Sequence, residues 1–181
     1  MPTTRSQAAR GAVAGVVAAG IWALQQPLDQ KLFGVRYDDT ELLGKLLTRG
    51  SAWPAAGTAL HLLNGAAFGA VYSQVAPRLP LPGWARGPAV GLLEHLASWP
   101  LTLVSDKRHP ARGDLPALAG NPRAFAQATW RHVLFGTILG ELERRLNPPV
   151  EHEGTSAEEL ARSNGHGDIQ HASPAVVRQQ S

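Results

Sequence analysis

Two segments of this chain carry the same spacing of a histidine and two glycines. In each segment the glycines follow the histidine at intervals of four residues: His61, Gly65, Gly69 and His132, Gly136, Gly140. Residues four apart lie on one face of an α-helix. Small residues on such a face let two helices approach backbone to backbone, as is common inside membranes. The pattern therefore predicts two closely packed helices, each with an ionisable side chain on its packing face.

Four segments are apolar enough and long enough to cross the hydrocarbon core of a bilayer, which requires about 20 helical residues. The mean hydropathy of -0.13 hides them because the polar residues are concentrated in the connections and the C-terminal segment. We predict an all-α integral membrane bundle of four transmembrane helices within residues 1–147, followed by a disordered polar tail, residues 148–181. The predicted spans are residues 11–28, 53–76, 84–104 and 124–142.

The first connection contains a predicted amphipathic helix. Asp38 can cap its N-terminus with Glu41 three residues later, and Gly50 can end it. Its leucines fall on one side, which predicts a helix lying at the membrane interface, although a short packing helix fits the pattern equally well. In the third span, Pro100 predicts a kink or an early stop.

The glycine pattern also indicates an internal duplication. A pair of glycines four residues apart opens span one and another opens span three, so each half of the chain forms one helical hairpin. Two such hairpins would be parallel repeats, related by an axis along the membrane normal. The predicted helix-packing residues are Gly11, Gly15, Gly65, Gly69, Gly87, Gly91, Gly136 and Gly140.

Polar side chains fall near the middle of spans two, three and four. Charges at this depth are costly in lipid, so we expect the side chains to face one another in a buried polar layer. Glu94 and Arg131 are the expected ion pair, since only a carboxylate among these groups can neutralise the guanidinium. The predicted layer consists of His61, Asn64, Glu94, His95, Arg131 and His132.

Three functions fit this layer. The favoured interpretation is a non-enzymatic helical bundle in which the polar groups hold the helices together. The second is a subunit of a proton- or cation-linked channel or transporter, because imidazole titrates near neutral pH and can pass protons. The third is a metal-dependent membrane enzyme with zinc held by the three histidines and Glu94. No soluble-enzyme motif is recognised, and no catalytic residue, metal ligand set or cofactor is predicted.

Composition narrows the partners. The chain has no cysteine, so disulfides and thiolate metal sites are excluded. The net charge of +3 is spread in single residues and pairs around the apolar segments, which favours anionic lipid headgroups over nucleic acid. The lipid bilayer is the expected partner, and a homo-oligomer is an alternative. The two sides of the predicted bundle carry equal numbers of lysines and arginines, so the positive-inside rule does not decide the topology. A signal peptide at the N-terminus is the alternative to a retained first span.

Several motifs resemble the YagU family of small bacterial inner-membrane proteins. The most specific is His95-Leu96-Ala97-Ser98-Trp99-Pro100-Leu101, and others are Trp84-Ala85-Arg86-Gly87 and His132 ahead of Glu141 and the Arg144-Arg145 pair. Glu141 and the arginine pair lie one residue further from His132 than in the family pattern. The resemblance implies a multi-span protein of the bacterial inner membrane and names no catalytic residue.

Overall fold

A computed structural model describes residues 4–148, and these residues form α-helices and short 3₁₀ turns without any strand. The all-α prediction is therefore confirmed for this part of the chain. The predicted disordered tail lies outside the described residues except for Pro148. The helices are α1 Thr4–Phe33, α2 Asp39–Leu47, α3 Trp53–Val75, α4 Gly83–Ser98, α5 Thr102–Arg108 and α6 Pro122–Leu146, with 3₁₀ turns at Ala76–Arg78 and Trp99–Leu101.

Two helix ends behave as the sequence predicts. The Asp38 side chain caps α2 by accepting hydrogen bonds from the backbone N–H groups of Thr40 and Glu41, at 2.8 and 3.1 Å. Helix α4 ends at Ser98, directly before a 3₁₀ turn that contains Pro100, so the predicted early stop is confirmed. At the start of α2, Asp38 satisfies backbone N–H groups that have no partner within the helix. After α4, Pro100 has no backbone N–H group with which to continue the helix.

The end of α1 differs from the prediction. The sequence places the end of the first span at Leu28, directly after Pro27, but α1 continues through the proline to Phe33. A proline inside a helix removes one backbone hydrogen bond, and tertiary contacts can compensate for that loss. The continuation places Asp29 on a helix that faces the protein interior, where its side chain is 2% exposed.

The long helices pack as two antiparallel pairs, α1 with α3 and α4 with α6, and the pairs meet where α1 packs against α6. Asn147 donates to the Gln7 carbonyl at one end of that contact, and Arg131 binds Asp29 at the other. Helices α1 and α6 are therefore antiparallel, and the two pairs run in the same direction, as parallel repeats require. The duplication itself stays a prediction.

The eight predicted glycines lie at the crossings within these pairs. A Cβ atom added at Gly15 would collide with the carbonyl oxygen of Gly65, and one at Gly87 would collide with that of Gly136. Backbone lies against backbone at these positions, so any larger side chain would separate the helices. A Cβ atom at Gly11, Gly69 or Gly91 would also collide with a carbonyl oxygen, and one at Gly140 would lie 3.0 Å from the Gly87 Cα atom.

Replacing Gly15 by alanine tests these crossings. We expect Gly15→Ala to lower the free energy of unfolding by about 1–3 kcal/mol, because the methyl group would overlap the Gly65 backbone. Gly20→Ala on the same helix is the matched control, since a Cβ there meets no atom within 4 Å. Alanine also favours helix over glycine, so the control should be neutral or slightly stabilising. Denaturant unfolding in detergent measures both; equal effects of the two variants would contradict the backbone crossing.

The connections fold over one end of the bundle. Helix α2 packs on α3, and a Cβ at Gly44 would meet the Trp53 carbonyl oxygen. The loop after α5 is held by hydrogen bonds from its backbone to a side chain of α5. The Asp106 carboxylate accepts from the backbone N–H groups of Leu118 and Ala119, at distances down to 2.8 Å. We call α2, α5 and the loop 109–121 the cap.

One described helix, α1, is both long enough and apolar enough by itself to cross a membrane. It lies near the N-terminus, and signal sequences and core helices of soluble proteins can have the same length and hydropathy. No other described helix meets both conditions, and α4 is too short, with 16 residues. Length and hydropathy alone therefore do not establish four spans.

Candidate functional site

Arg131 lies at the centre of a buried ion-pair cluster. Its guanidinium, 0% exposed, binds Asp29 through two hydrogen bonds, Nε to Oδ2 at 2.6 Å and Nη2 to Oδ1 at 2.5 Å. Nη1 donates to Asp39 Oδ2 at 2.7 Å, and Nη2 also donates to the Tyr37 carbonyl at 2.9 Å. We call Asp29, Tyr37, Asp39 and Arg131 the Arg131 cluster. It joins α6 to α1, to α2 and to the connection between them.

Asp39 accepts hydrogen bonds from three side chains. Besides Arg131, the Trp22 indole donates to Oδ2 at 2.9 Å and the Tyr37 hydroxyl donates to Oδ1 at 2.5 Å. Burial alone would raise the pKa of Asp39, but Arg131 and the Tyr37 hydrogen bond outweigh burial and lower the pKa below its usual range. Burial and the Asp39 charge raise the pKa of Tyr37 well above 10.0. At neutral pH, Asp39 is therefore ionised and Tyr37 is neutral.

Two glutamine side chains donate the remaining hydrogen bonds to the Asp29 carboxylate. Gln127 Nε2 donates to Oδ1 at 2.7 Å, and Gln25 Nε2 donates to Oδ2 at 2.6 Å. Each Asp29 oxygen therefore accepts one hydrogen bond from Arg131 and one from an amide. A buried carboxylate satisfied in this way is stable as an anion.

The predicted ion pair between Glu94 and Arg131 is wrong. Arg131 binds Asp29 and Asp39, whereas Glu94 Oε2 lies 2.8 Å from His132 Nε2. The physical reason is that Arg131 and His132 are neighbours on α6, and side chains of neighbouring residues on a helix point about 100° apart. Arg131 thus faces α1 and α2 while His132 faces α4.

The protonation of the pair formed by Glu94 and His132 follows from its geometry. His132 Nδ1 lies 2.7 Å from the Ala128 carbonyl oxygen, which can only accept, so Nδ1 carries a hydrogen. Nε2 then either donates to the Glu94 carboxylate as part of an imidazolium or accepts from the protonated acid. In both arrangements the pair as a whole is neutral.

The other two histidines are each held by one ring nitrogen. His61 Nε2 donates to the Ala19 carbonyl at 3.1 Å. The Thr129 hydroxyl donates to the Phe125 carbonyl, so it accepts from His95 Nε2 at 3.0 Å. Both of these ring nitrogens therefore bind uncharged groups of the protein. We call His61, Glu94, His95 and His132 the histidine cluster.

Trp22 connects the two clusters. Its ring makes edge contacts with His61 at 5.4 Å and with His132 at 4.7 Å between centroids, while its indole N–H donates to Asp39. The histidines that head the two glycine ladders therefore flank one tryptophan of α1. Trp22 is only 7% exposed, which agrees with its place between the two clusters.

A cavity of about 370 Å³ lies between the clusters and the cap. Five of the six predicted polar residues line its wall. The sixth, Arg131, does not line the cavity, although its partner Asp39 does. The predicted residues that line the cavity are His61, Asn64, Glu94, His95 and His132. Most of the remaining wall is apolar or aromatic, contributed by Trp22, Leu42, Phe68, Trp99, Leu101 and Phe135.

The zinc alternative finds no geometric support in this structure. Among residues 4–148, no three or more His, Cys, Asp or Glu side chains are grouped so that they could hold a metal ion. His132 Nε2 is bound to Glu94, and His61 Nε2 and His95 Nε2 are bound to other protein groups, so they converge on no shared position.

Searches of protein-family models, of curated proteins and of solved structures each found no significant match to this chain. The resemblance to the YagU family therefore stays a prediction. The function has to be argued from the geometry of the described residues.

Sequence reasoning missed Asp29, Tyr37 and Asp39. Asp29 comes just after Pro27 and the predicted end of the first span. Asp39 directly follows the capping residue Asp38, so an acidic residue there is explained by the start of a helix and indicates no distant partner. Arg131 is the sequence signal that points to these residues. A buried guanidinium has five N–H donors, so it is better satisfied by two carboxylates than by one, and Glu94 alone would not suffice.

Proposed function

We propose that this chain is a non-enzymatic, four-span protein of the bacterial inner membrane whose two helix pairs are held together by the Arg131 cluster. The observation that carries the proposal is the distribution of polarity. Of the six largest fully buried side chains among the described residues, only Leu139 is apolar; the others are Ser73, Asp29, His95, Gln127 and Arg131. A soluble protein places apolar side chains in these positions.

The outer surface supports the same placement. Each long helix exposes large apolar side chains, and several are more than half exposed. Many exposed large apolar side chains are expected on a protein that contacts lipid, because the bilayer covers them. Representative residues are Leu24 and Leu28 on α1, Leu63 and Val71 on α3, Leu93 and Leu96 on α4, and Trp130 on α6.

The modest hydropathy of α3, α4 and α6 is compatible with this proposal. Helix α3 has 23 residues and none is Asp, Glu, Lys or Arg; its hydropathy is reduced by small and uncharged polar residues. In α6 the most polar span residue, Arg131, faces the protein and not the surface. A helix whose polar groups are satisfied inside a bundle can remain in a bilayer despite a low average hydropathy.

The geometry favours holding the helices together over conducting ions. The rings of Phe68 and Phe135 meet at 5.4 Å between centroids below the histidine cluster. Beyond them lies an apolar core that includes Ala14, Tyr72 and Leu139. Within a single chain, aromatic and aliphatic side chains therefore close the polar layer on this side. A path for ions would require a second copy of the chain or a rearrangement of the helices. The proton-linked channel is the weaker proposal.

Single cysteines test the membrane placement, because the native chain contains none. We expect an impermeant maleimide to label Ser51→Cys from one side of the membrane and Leu81→Cys from the other. Helix α3, which has 23 residues and is about 35 Å long, lies between these two positions. Leu93→Cys, at a position 67% exposed, should react only after denaturation because lipid covers it. Labelling of Leu93→Cys at the rate of Ser51→Cys, or of both loops from one side, would contradict a membrane-spanning bundle.

A further inference from the structure

The Arg131 cluster contains one more carboxylate than it has guanidinium groups. Arg131 supplies one positive charge, whereas its partners Asp29 and Asp39 supply two negative charges. In the neighbouring histidine cluster, His132 binds Glu94, and His61 Nε2 and His95 Nε2 bind a carbonyl and a hydroxyl group, so no ring nitrogen of that cluster is hydrogen-bonded to Asp29 or Asp39. A net charge in a low-dielectric interior is unfavourable unless a counter-charge lies close by.

This charge borders the cavity. Asp39 lines the cavity wall, and its side chain keeps 13% of its surface accessible. Arg131 lies behind Asp39 and lines no part of the wall, so a guest in the cavity meets the carboxylate and not the guanidinium. Two carboxylates line the cavity, those of Asp39 and Glu94, and no lysine or arginine of the described residues lines it, which favours a positively charged guest.

The wall is also suited to a cation that carries apolar groups. Rings of Trp22, Phe68, Trp99 and Phe135 border the cavity, and aromatic faces attract cations, particularly where water is excluded. The protein already uses this interaction nearby, since the Arg131 guanidinium carbon lies 5.0 Å from the centroid of the Tyr37 ring. The volume of about 370 Å³ lies within the range of small-molecule sites.

The cavity opens between α3 and α4. Helix α3 packs on α1 and α2, and α4 packs on α6, but α3 and α4 have almost no contact with each other in the described part of the chain. Asn64 of α3 is exposed on this side, and the Glu94 side chain of α4 is 39% exposed. If the bundle spans a membrane as proposed above, this opening faces the bilayer, so a guest would enter from the lipid phase.

We propose that the cavity binds a monovalent organic cation with apolar substituents, such as a substituted ammonium, with its charge near Asp39 and its apolar groups against the aromatic wall. Only the route of entry rests on the proposed membrane placement. The charge count and the lining hold in detergent as well as in a bilayer.

Three small probes of similar shape test the charge preference. They are benzyltrimethylammonium, its uncharged carbon analogue neopentylbenzene, and the anion phenylmethanesulfonate. Titrations of the purified full chain in detergent are followed by tryptophan fluorescence, to which the cavity residues Trp22 and Trp99 contribute, and are corrected with protein-free micelles. They should show saturable binding of the cation alone. Equal binding of all three probes, or no saturable binding of the cation, would overturn the proposal.

Charge substitutions at the cavity mouth locate the site. Asn64→Lys places a positive charge at the mouth without touching the Arg131 cluster, and it should weaken cation binding at least about tenfold. Asn64→Asp should strengthen binding, which keeps the test informative if the lysine variant folds poorly. Thr58→Lys is the control, because Thr58 is exposed on the same helix and does not line the cavity. Cation affinity that ignores both Asn64 substitutions would overturn the proposal.

The two proposals fail in different experiments. Cysteine labelling in intact membranes tests the placement and involves no ligand, whereas the titrations in detergent test the cavity and involve no topology. Cation binding with one-sided labelling would retain the cavity and reject the membrane placement. Two-sided labelling without cation binding would do the reverse.

Discussion

Arg131→Met should destabilise the protein more than any other single substitution that we consider. Methionine has a similar length but no charge, so Asp29 and Asp39 would remain buried with no cation between them. Breaking a buried ion pair by removing one partner typically costs about 3–5 kcal/mol. We expect a loss of this size in the free energy of unfolding in detergent, measured by circular dichroism against denaturant.

Arg123→Met is the matched control for Arg131→Met. Arg123 lies two turns earlier on α6, is exposed, and should change stability by less than about 0.5 kcal/mol. A double-mutant cycle gives a second test. In the Arg131→Met background, Asp29→Asn should cost less than in the native protein, because it then removes an unpaired charge. Additive effects would show that Asp29 and Arg131 are not coupled.

The helix pairs could be predicted from local spacing. The glycine ladders repeat at intervals of four within single helices, and the backbone contacts of Gly15 with Gly65 and of Gly87 with Gly136 follow that spacing directly. Helix α3 begins and ends within one residue of the predicted span because proline and tryptophan mark its start and Pro77 follows its end. These features depend on residues that are close in sequence.

The partners of Arg131 could not be predicted in the same way. Arg131 is 102 residues from Asp29 and 92 from Asp39, and its choice of partner depends on which side of α6 faces α1. The folded first connection supplies Tyr37 and Asp39, and nothing in its sequence states that it covers the end of the bundle. The sequence predicts that Glu94 lies near the histidines, and Glu94 contacts His132, but position along a helix does not fix direction around its axis.

The Arg131 cluster should also make stability depend on pH, with an acid limb set by Asp39. The pKa of Asp39 is lower in the folded protein than the value of about 3.9 expected when unfolded. Its contribution is therefore fully present above the unfolded pKa and is lost as pH falls through the folded pKa. Each pH unit between the two pKa values corresponds to about 1.4 kcal/mol.

Asp39→Asn should reduce the slope of the acid limb while lowering stability at neutral pH, because the amide cannot replace the charge facing Arg131. Asp114→Asn is the control, since that side chain is 64% exposed and lies outside the cluster. Unfolding free energies measured in detergent from neutral pH to about pH 3 test this expectation. An unchanged acid slope in Asp39→Asn would show that other groups set the acid limit.

Tyr37 should set the alkaline limb of the same profile. Burial and the Asp39 carboxylate raise the pKa of Tyr37 well above 10.0, so the unfolded chain loses this proton at lower pH than the folded protein does. The contribution of Tyr37 is complete below about pH 10 and declines as pH rises towards the folded pKa. Tyr37→Phe keeps the ring beside Arg131 but removes the hydroxyl that donates to Asp39. It should flatten the alkaline limb and lower stability at neutral pH by about 1.5–3 kcal/mol, the usual range for a hydrogen bond to a charged group. An alkaline limb of unchanged slope in this variant would exclude Tyr37 as its source.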